Sequence, residues 1–130
     1  MFIVSAGMPK SGSTLFSFYQ KSILEHSISG QGQEHFEKQI STGAINGVGH
    51  FVHDIENPER LQQLWNLSAE YGPFVVKTHA TLTEYMKDFF LKHDIVITFI
   101  HRDPRDIILS AIDHGKRPVK NPALHSYFKQ

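Results

Sequence analysis

The sequence predicts a three-layer α/β/α domain built on a parallel sheet. Two observations lead there. Short apolar runs at residues 2–4, 74–76 and 95–100 alternate with segments of helical apolar spacing, in the order β-α-loop-α-β-α-β-α. That alternation is the mark of a parallel sheet with helices on its faces. Each run also ends in glycine-, lysine-, histidine- or arginine-bearing residues. Those are the carboxyl ends of the strands, where open α/β sheets bind their ligands.

The elements follow in order. Phe2, Ile3 and Val4 form the first strand, and a loop bounded by Gly7 and Gly12 follows it. A helix is expected from Ser13 to about Ser27, with Leu15, Phe16, Tyr19, Ile23 and Leu24 in helical spacing. Residues 29–50, rich in Gly, Gln, Ser and His, read as a long irregular connection with a short helix near Glu34 to Ile40. Asn57 can cap a helix with Pro58 at its first position, running to about Tyr71 with Leu61, Leu64, Trp65 and Leu67 inward. Gly72 and Pro73 end it. A strand at 74–78 and a helix from about Thr83 to His93 come next. The run 95–100 is apolar on both faces and reads as a central strand, covered on both sides. Asp103 can cap the last helix, with Pro104 at its first position, Asp106 in its first turn and Gly115 just past its end. At 130 residues the chain is one domain by length, with 1–117 as the domain and 118–130 as a tail.

The chemistry lies at the strand ends. Glycines let the first loop turn tightly against an anion, and the helix behind it presents free N–H groups. Lys10 adds a charge; Ser11, Ser13 and Thr14 add hydroxyls. The spacing of Gly7 and Gly12 is P-loop-like. Ser13 stands where G-x-x-x-x-G-K-[ST] has its lysine, which here is displaced to Lys10. At the second strand end Lys77 and His79 are two apart, so they share a face if the strand persists that far. At the third, Arg102 leaves the strand and Ser110 looks back from about two turns into the helix. A guanidinium matches phosphate oxygens through a planar fork. Each segment also has a plain structural reading: a tight turn with a solvated lysine, an edge Lys and His, and an Arg–Asp surface pair.

The strings Pro-Lys-Ser-Gly-Ser-Thr (9–14), Lys-Thr-His (77–79) and Arg-Asp-Pro-Arg-Asp followed by Ser110 resemble, in this order, three elements of the sulfotransferases that use 3′-phosphoadenosine-5′-phosphosulfate (PAPS). The similarity runs from residue 1 to about 117. It implies a partial sulfotransferase fold, lacking the family's C-terminal half. It implies Lys10, Ser11, Gly12, Ser13 and Thr14 around the 5′-phosphosulfate, and Arg102 and Ser110 on the 3′-phosphate. It implies His79 as general base, with Lys10 and Lys77 as catalytic cations. The cofactor implied is PAPS, without a metal, and the acceptor is a small molecule or a glycan bearing a hydroxyl or amine. Leu15 stands where many cytosolic members place an adenine-stacking tryptophan. Two alternatives remain open at this point. One is a truncated, non-catalytic nucleotide-binding domain. The other is a P-loop kinase or hydrolase, disfavoured by the displaced lysine and by the lack of a Walker-B aspartate at a strand end.

Composition narrows the rest. Thirteen Lys plus Arg balance thirteen Asp plus Glu, which argues against a broad nucleic-acid or anionic-membrane surface. With no cysteine, disulfides, thiolate metal sites and cysteine nucleophiles are excluded. The first strand follows Met1 directly, with no basic and apolar leader, so a cytoplasmic location is expected. Nine histidines invite a metal hypothesis. His50, His53 and Asp54 are its best cluster, but they sit in a glycine-rich stretch without a defined helix face, and no metal site is expected.

Overall fold

A computed structural model describes residues 1–28 and 30–116; the predicted tail at 118–130 lies outside the described residues. The elements are β1 (Ile3–Gly7), α1 (Ser13–Ser27), α2 (Gln31–Ser41), β2 (Gly47–Val48), β3 (Phe51–Val52), α3 (Pro58–Tyr71), β4 (Val75–Thr78), α4 (Glu84–Lys92), β5 (Val96–Ile100) and α5 (Pro104–Lys116). The five strands form one sheet in the order β2-β3-β4-β1-β5. β3, β4, β1 and β5 run parallel, while β2 is antiparallel to β3. The sheet is therefore mixed, not wholly parallel as the sequence suggested. The antiparallel strand comes from the 47–52 hairpin, hidden in a stretch that reads as irregular because each of its strands has only two residues.

Local signals hold where the chemistry is specific. Asn57 Oδ1 accepts from the Glu59 N–H at 2.9 Å, with Pro58 at the start of α3. Thr83 Oγ1 accepts from the Met86 N–H at 3.2 Å to open α4. Asp103 Oδ1 accepts from the Arg105 N–H at 2.9 Å to open α5. Gly115, expected past the end of α5, lies inside it. The helix expected near Glu34 to Ile40 is longer at both ends.

One face of the sheet builds the core. Phe2, Val4, Phe74 and Val76 pack with Leu61 and Leu64 of α3, Met86 and Phe90 of α4, and Phe36 of α2. Phe74 stacks between Phe2 and Phe36, with ring centroids 5.6 and 4.6 Å apart. Trp65 packs half-buried against this cluster. The alternate residues Ser5, Lys77 and Thr98 occupy one register row across β1, β4 and β5. Against this polar row sits α1, and it does so through Ser13, Ser17 and Leu24, its buried residues. Leu15, Tyr19 and Ile23, expected from their spacing to face the core, are exposed. A polar row offers an apolar stripe nothing to bury against, whereas serines let the helix approach closely and find partners.

β5 corrects a further expectation. Its apolar sequence predicts a central, fully covered strand, yet it is an edge strand on which no residue is fully buried.

Gly32, inside α2, sets how closely that helix approaches the turn before β4. A Cβ there would lie 2.3 Å from the Gly72 carbonyl oxygen and 2.5 Å from that of Pro73. Gly32→Ala is therefore expected to destabilise the fold by about 1–3 kcal/mol, as overpacking does. Intrinsic helix propensity alone would favour alanine by about 1 kcal/mol. Urea denaturation decides between the two signs.

Candidate functional site

The carboxyl ends of β1, β4 and β5 lie side by side, ending at Gly7, Thr78 and Ile100. The loop after β1 folds on itself. Ser11 donates twice to the Met8 carbonyl, from its N–H at 3.2 Å and its hydroxyl at 2.6 Å. Lys10 has φ 65° and Gly12 φ 92°. Glycine tolerates the left-handed region, while for a lysine it costs about 1–2 kcal/mol. Strain of this kind at a non-glycine residue is a recurrent property of ligand-binding loops.

Gly12 caps α1 without a side-chain hydrogen bond. The Phe16 N–H returns to the Gly12 carbonyl at 3.0 Å. The N–H groups of Ser13, Thr14 and Leu15 precede that first helical bond, so the helix itself does not use them. The positive end of the helix dipole adds to their pull on an anion.

Lys77 joins this end of α1. Its Nζ donates to Thr14 Oγ1 at 2.6 Å and lies 5.5 Å from the centre of the Phe51 ring. Burial, and then the charge of Lys10, push the Lys77 ammonium below its ordinary pKa. Lys77 thus meets the start of α1 directly, and Lys10 in the preceding loop is near enough for its charge to act on it.

β4 stops at Thr78, one residue short of His79. His79 still stays beside Lys77, since its ring lies 5.0 Å from the same Phe51 ring. His79 Nδ1 is hydrogen-bonded to the Gly7 carbonyl. A carbonyl only accepts, so Nδ1 carries the proton and Nε2 is left with its lone pair. The pKa of His79 is lowered, first by burial and further by Lys77, against the opposing pull of the Gly7 carbonyl. This lowering favours the neutral, proton-accepting form of the imidazole. It borders a cavity of about 620 Å³ whose walls include Met8, Met86, Phe90, Ile97 and Phe99.

Arg102 is exposed at the end of β5. It reaches the Lys10 carbonyl at 3.5 Å and Asp106 at 3.8 Å, while Arg105 pairs with Asp103 at 2.8 Å. Ser110 lies half-buried farther along α5, with no hydrogen bond to Arg102 or the loop. The structure thus gathers Lys10, the α1 N-terminus, Thr14, Lys77 and His79, brings Arg102 to the loop's rim, and does not join Ser110 to it. The Ser11 hydroxyl closes the loop, and Ser13 is buried at the start of α1.

His50 is a site residue that the sequence reading left out. It sits in the tip of the β2–β3 hairpin, yet it is buried. Its Nε2 is 2.9 Å from Ser17 Oγ, which itself donates to the Thr14 carbonyl at 2.9 Å. The serine proton being committed, Nε2–H is the donor. The His50 carbonyl accepts from the Lys77 N–H at 2.8 Å. One residue thereby ties α1 to the strand that carries Lys77. Nothing local in a Gly-His dipeptide signals this, because the contact spans the fold.

Among the described residues no group of three or more His, Asp or Glu is placed to hold a metal ion, and no helix is long and apolar enough to cross a membrane. Comparison with protein-family models, with curated proteins and with solved structures found no match.

Both His50 and His79 have lowered pKa values, His50 mainly through burial. The sign of the effect on stability follows. Below about pH 6.5 the unfolded chain takes up protons on these rings while the folded chain resists. Stability therefore falls with pH from about 6.5 until the depressed folded values are reached. Melting temperatures at pH 7.5 and 5.5 should show this loss, and His50→Gln, which keeps a donor without the titration, should reduce it. An unchanged pH dependence in His50→Gln would remove His50 from the account.

Proposed function

We propose that the chain binds PAPS and is a sulfotransferase, or the cofactor-binding portion of one, of three-layer P-loop-like architecture. The observation that carries this reading is Lys77 bonded to Thr14 at the N-terminus of α1, behind the loop of Lys10 and beside His79, whose Nδ1 is tied to the Gly7 carbonyl. The donor set suits a 5′-phosphate bearing a sulfuryl group: three unused backbone N–H groups, two ammonium groups and a threonine hydroxyl. Arg102 supplies a fork for the 3′-phosphate from the rim of the loop, and Ser110, half-buried farther along α5, is its partner in the resemblance. When bound, PAPS supplies the sulfuryl group.

The chain's own residues would then act as follows. His79 Nε2 accepts the proton of an acceptor hydroxyl, its tautomer fixed by the Gly7 carbonyl. Lys77 and Lys10 stabilise negative charge that develops on the transferring group and the leaving phosphate. The apolar walls of the cavity suit an acceptor hydroxyl carried on an apolar body. A non-catalytic nucleotide-binding domain is the second reading, favoured by the exposure of Arg102 and by its separation from Ser110.

Adenosine 3′,5′-bisphosphate is expected to bind more tightly than AMP, in EDTA as well as in Mg²⁺. Arg102→Ala should erase most of the difference, worth roughly 1.5–3 kcal/mol for a charged hydrogen-bond partner. Calorimetry giving equal affinities would sink the assignment of Arg102 and Ser110, and a strict need for Mg²⁺ would favour a kinase or hydrolase.

His79→Ala is expected to lower sulfuryl transfer by about 10²–10⁴-fold at saturating cofactor, with bisphosphate affinity little changed. Lys10→Ala should damage both. Bisphosphate binding without turnover in the parent chain selects the non-catalytic reading.

A further inference from the structure

A circuit of hydrogen bonds starts and ends on Lys77. The Lys77 backbone N–H donates to the His50 carbonyl at 2.8 Å. His50 Nε2 lies 2.9 Å from Ser17 Oγ. Ser17 Oγ donates to the Thr14 carbonyl at 2.9 Å. Thr14 Oγ1 accepts from Lys77 Nζ at 2.6 Å, which closes the circuit. It links β4, the tip of the β2–β3 hairpin and the first turns of α1. Its two sides differ in environment. Ser17 is fully buried and His50 is 6% exposed, whereas Thr14 is exposed and Lys77 half-buried. The ammonium side therefore opens toward solvent at the start of α1, and the imidazole side is closed behind it.

We propose that His50 and Ser17 are positioning residues that set where the Lys77 ammonium lies against the first turn of α1, so that an anion bound there depends on two groups it does not touch. The proposal rests on the reading of this turn as the seat of a phosphate-bearing ligand. A lysine ammonium rides on a flexible four-carbon stem and by itself holds no fixed place. Here its place is given by Thr14 Oγ1, and the distance from Thr14 to the Lys77 backbone is set by the other side of the circuit. Ser17 lies one turn beyond Thr14 on the same helix. Its proton goes to the Thr14 carbonyl, so toward His50 it has only lone pairs to offer. Nε2–H of His50 is the donor that meets them. A buried hydroxyl and a buried imidazole are costly to leave unpaired, so this pair holds α1 at one height over β4. The demand on position 50 is specific: a donor has to stand where Nε2 stands. Glutamine can place its amide N–H there, while leucine fills comparable space with no donor.

NMR of the free chain tests the geometry without any ligand. Nitrogen shifts of the two imidazoles should show opposite tautomers, with the proton of His50 on Nε2 and that of His79 on Nδ1. The Lys77 side-chain signals, identified by their loss in Lys77→Arg, report the ammonium. In the parent it titrates below its ordinary pKa, because burial and then Lys10 act on it. In His50→Leu and in Ser17→Ala it is expected to move up toward the ordinary value, as the ammonium is released to water. His50→Gln should return it toward the parent value, which a loss of packing alone would not explain. Ser17→Ala is the smaller change and carries the test if His50→Leu does not fold. Adenosine 3′,5′-bisphosphate is expected to bind His50→Leu and Ser17→Ala about tenfold or more weakly than the parent, with most of the loss recovered in His50→Gln. A His50 proton found on Nδ1 overturns the proposal. So does a Lys77 that titrates alike in the parent and in Ser17→Ala, or equal bisphosphate affinity in those two chains. A parent chain that does not bind the bisphosphate overturns the sulfotransferase reading instead, and the tautomer and the Lys77 titration still decide the positioning.

Discussion

Helix α1 rests on the sheet through hydroxyls, an amide and an imidazole, and the arrangement of the whole site depends on that seat. Ser17 meets His50, Gln20 meets Thr98, and Thr14 meets Lys77. Hydrogen bonds are directional, and buried polar groups are expensive to leave unmade. A helix seated in this way has one rotation and one height at which all three partners are met. An apolar stripe would tolerate sliding by a fraction of a turn. That matters because the proposed ligand would sit at the first turn of this same helix, whose N–H groups would have to point at a fixed place. Ser5 Oγ and Gln20 Oε1 are left without partners in this layer, so the polar seat is not perfectly satisfied.

The site concentrates unfavourable terms that the rest of the fold sustains. Lys10 is held in a left-handed conformation. Lys77 keeps its ammonium against burial and a neighbouring like charge. His79 is half-buried among apolar walls. Each term costs stability in the free protein; the two electrostatic ones are the kind that an anion beside Lys77, or a proton donor at His79 Nε2, would offset. A packed core of stacked phenylalanines on the opposite face of the sheet supplies the stability that lets these terms persist.

Much of the architecture was legible in the sequence where a residue's own chemistry dictates a local geometry. Gly12 at a positive φ, Asn57 before Pro58, Thr83 and Asp103 each fix an element's start within a residue or two. Strands β1, β4 and β5 were legible as apolar runs, and Lys10, Lys77, His79 and Arg102 lie at or just past their carboxyl ends. What escaped depended on partners distant in the chain. Leu15, Tyr19 and Ile23 have helical spacing, but spacing does not say which face meets the sheet, and Ser5, Lys77 and Thr98 chose the serines. The run from Val96 to Ile100 is apolar on both faces, and nothing in it reveals that the sheet ends there. Two-residue strands such as Phe51–Val52 exist only through their pairing, with Gly47–Val48 on one side and with Lys77 on the other. His50 lies in a glycine-rich stretch and gains its role from Ser17, 33 residues away.

The far side of β4 shows how the sheet is kept finite in one direction. β3 pairs with β4 only at Phe51 and Lys77, so Val75 would face an empty lane. The buried side chain of Gln33 fills it: its Oε1 accepts from the Val75 N–H at 2.8 Å and its Nε2 reaches the Val75 carbonyl at 3.4 Å. A primary amide carries the same donor and acceptor as a peptide group, so Gln33 acts as a strand one residue long. Unlike a strand, it has no second edge to pass on. The ladder is terminated there by a side chain rooted in a helix, which cannot template a further chain. Along this stretch of β4 the sheet thus ends in a side chain, while β2 and β5 are its outermost strands among the described residues.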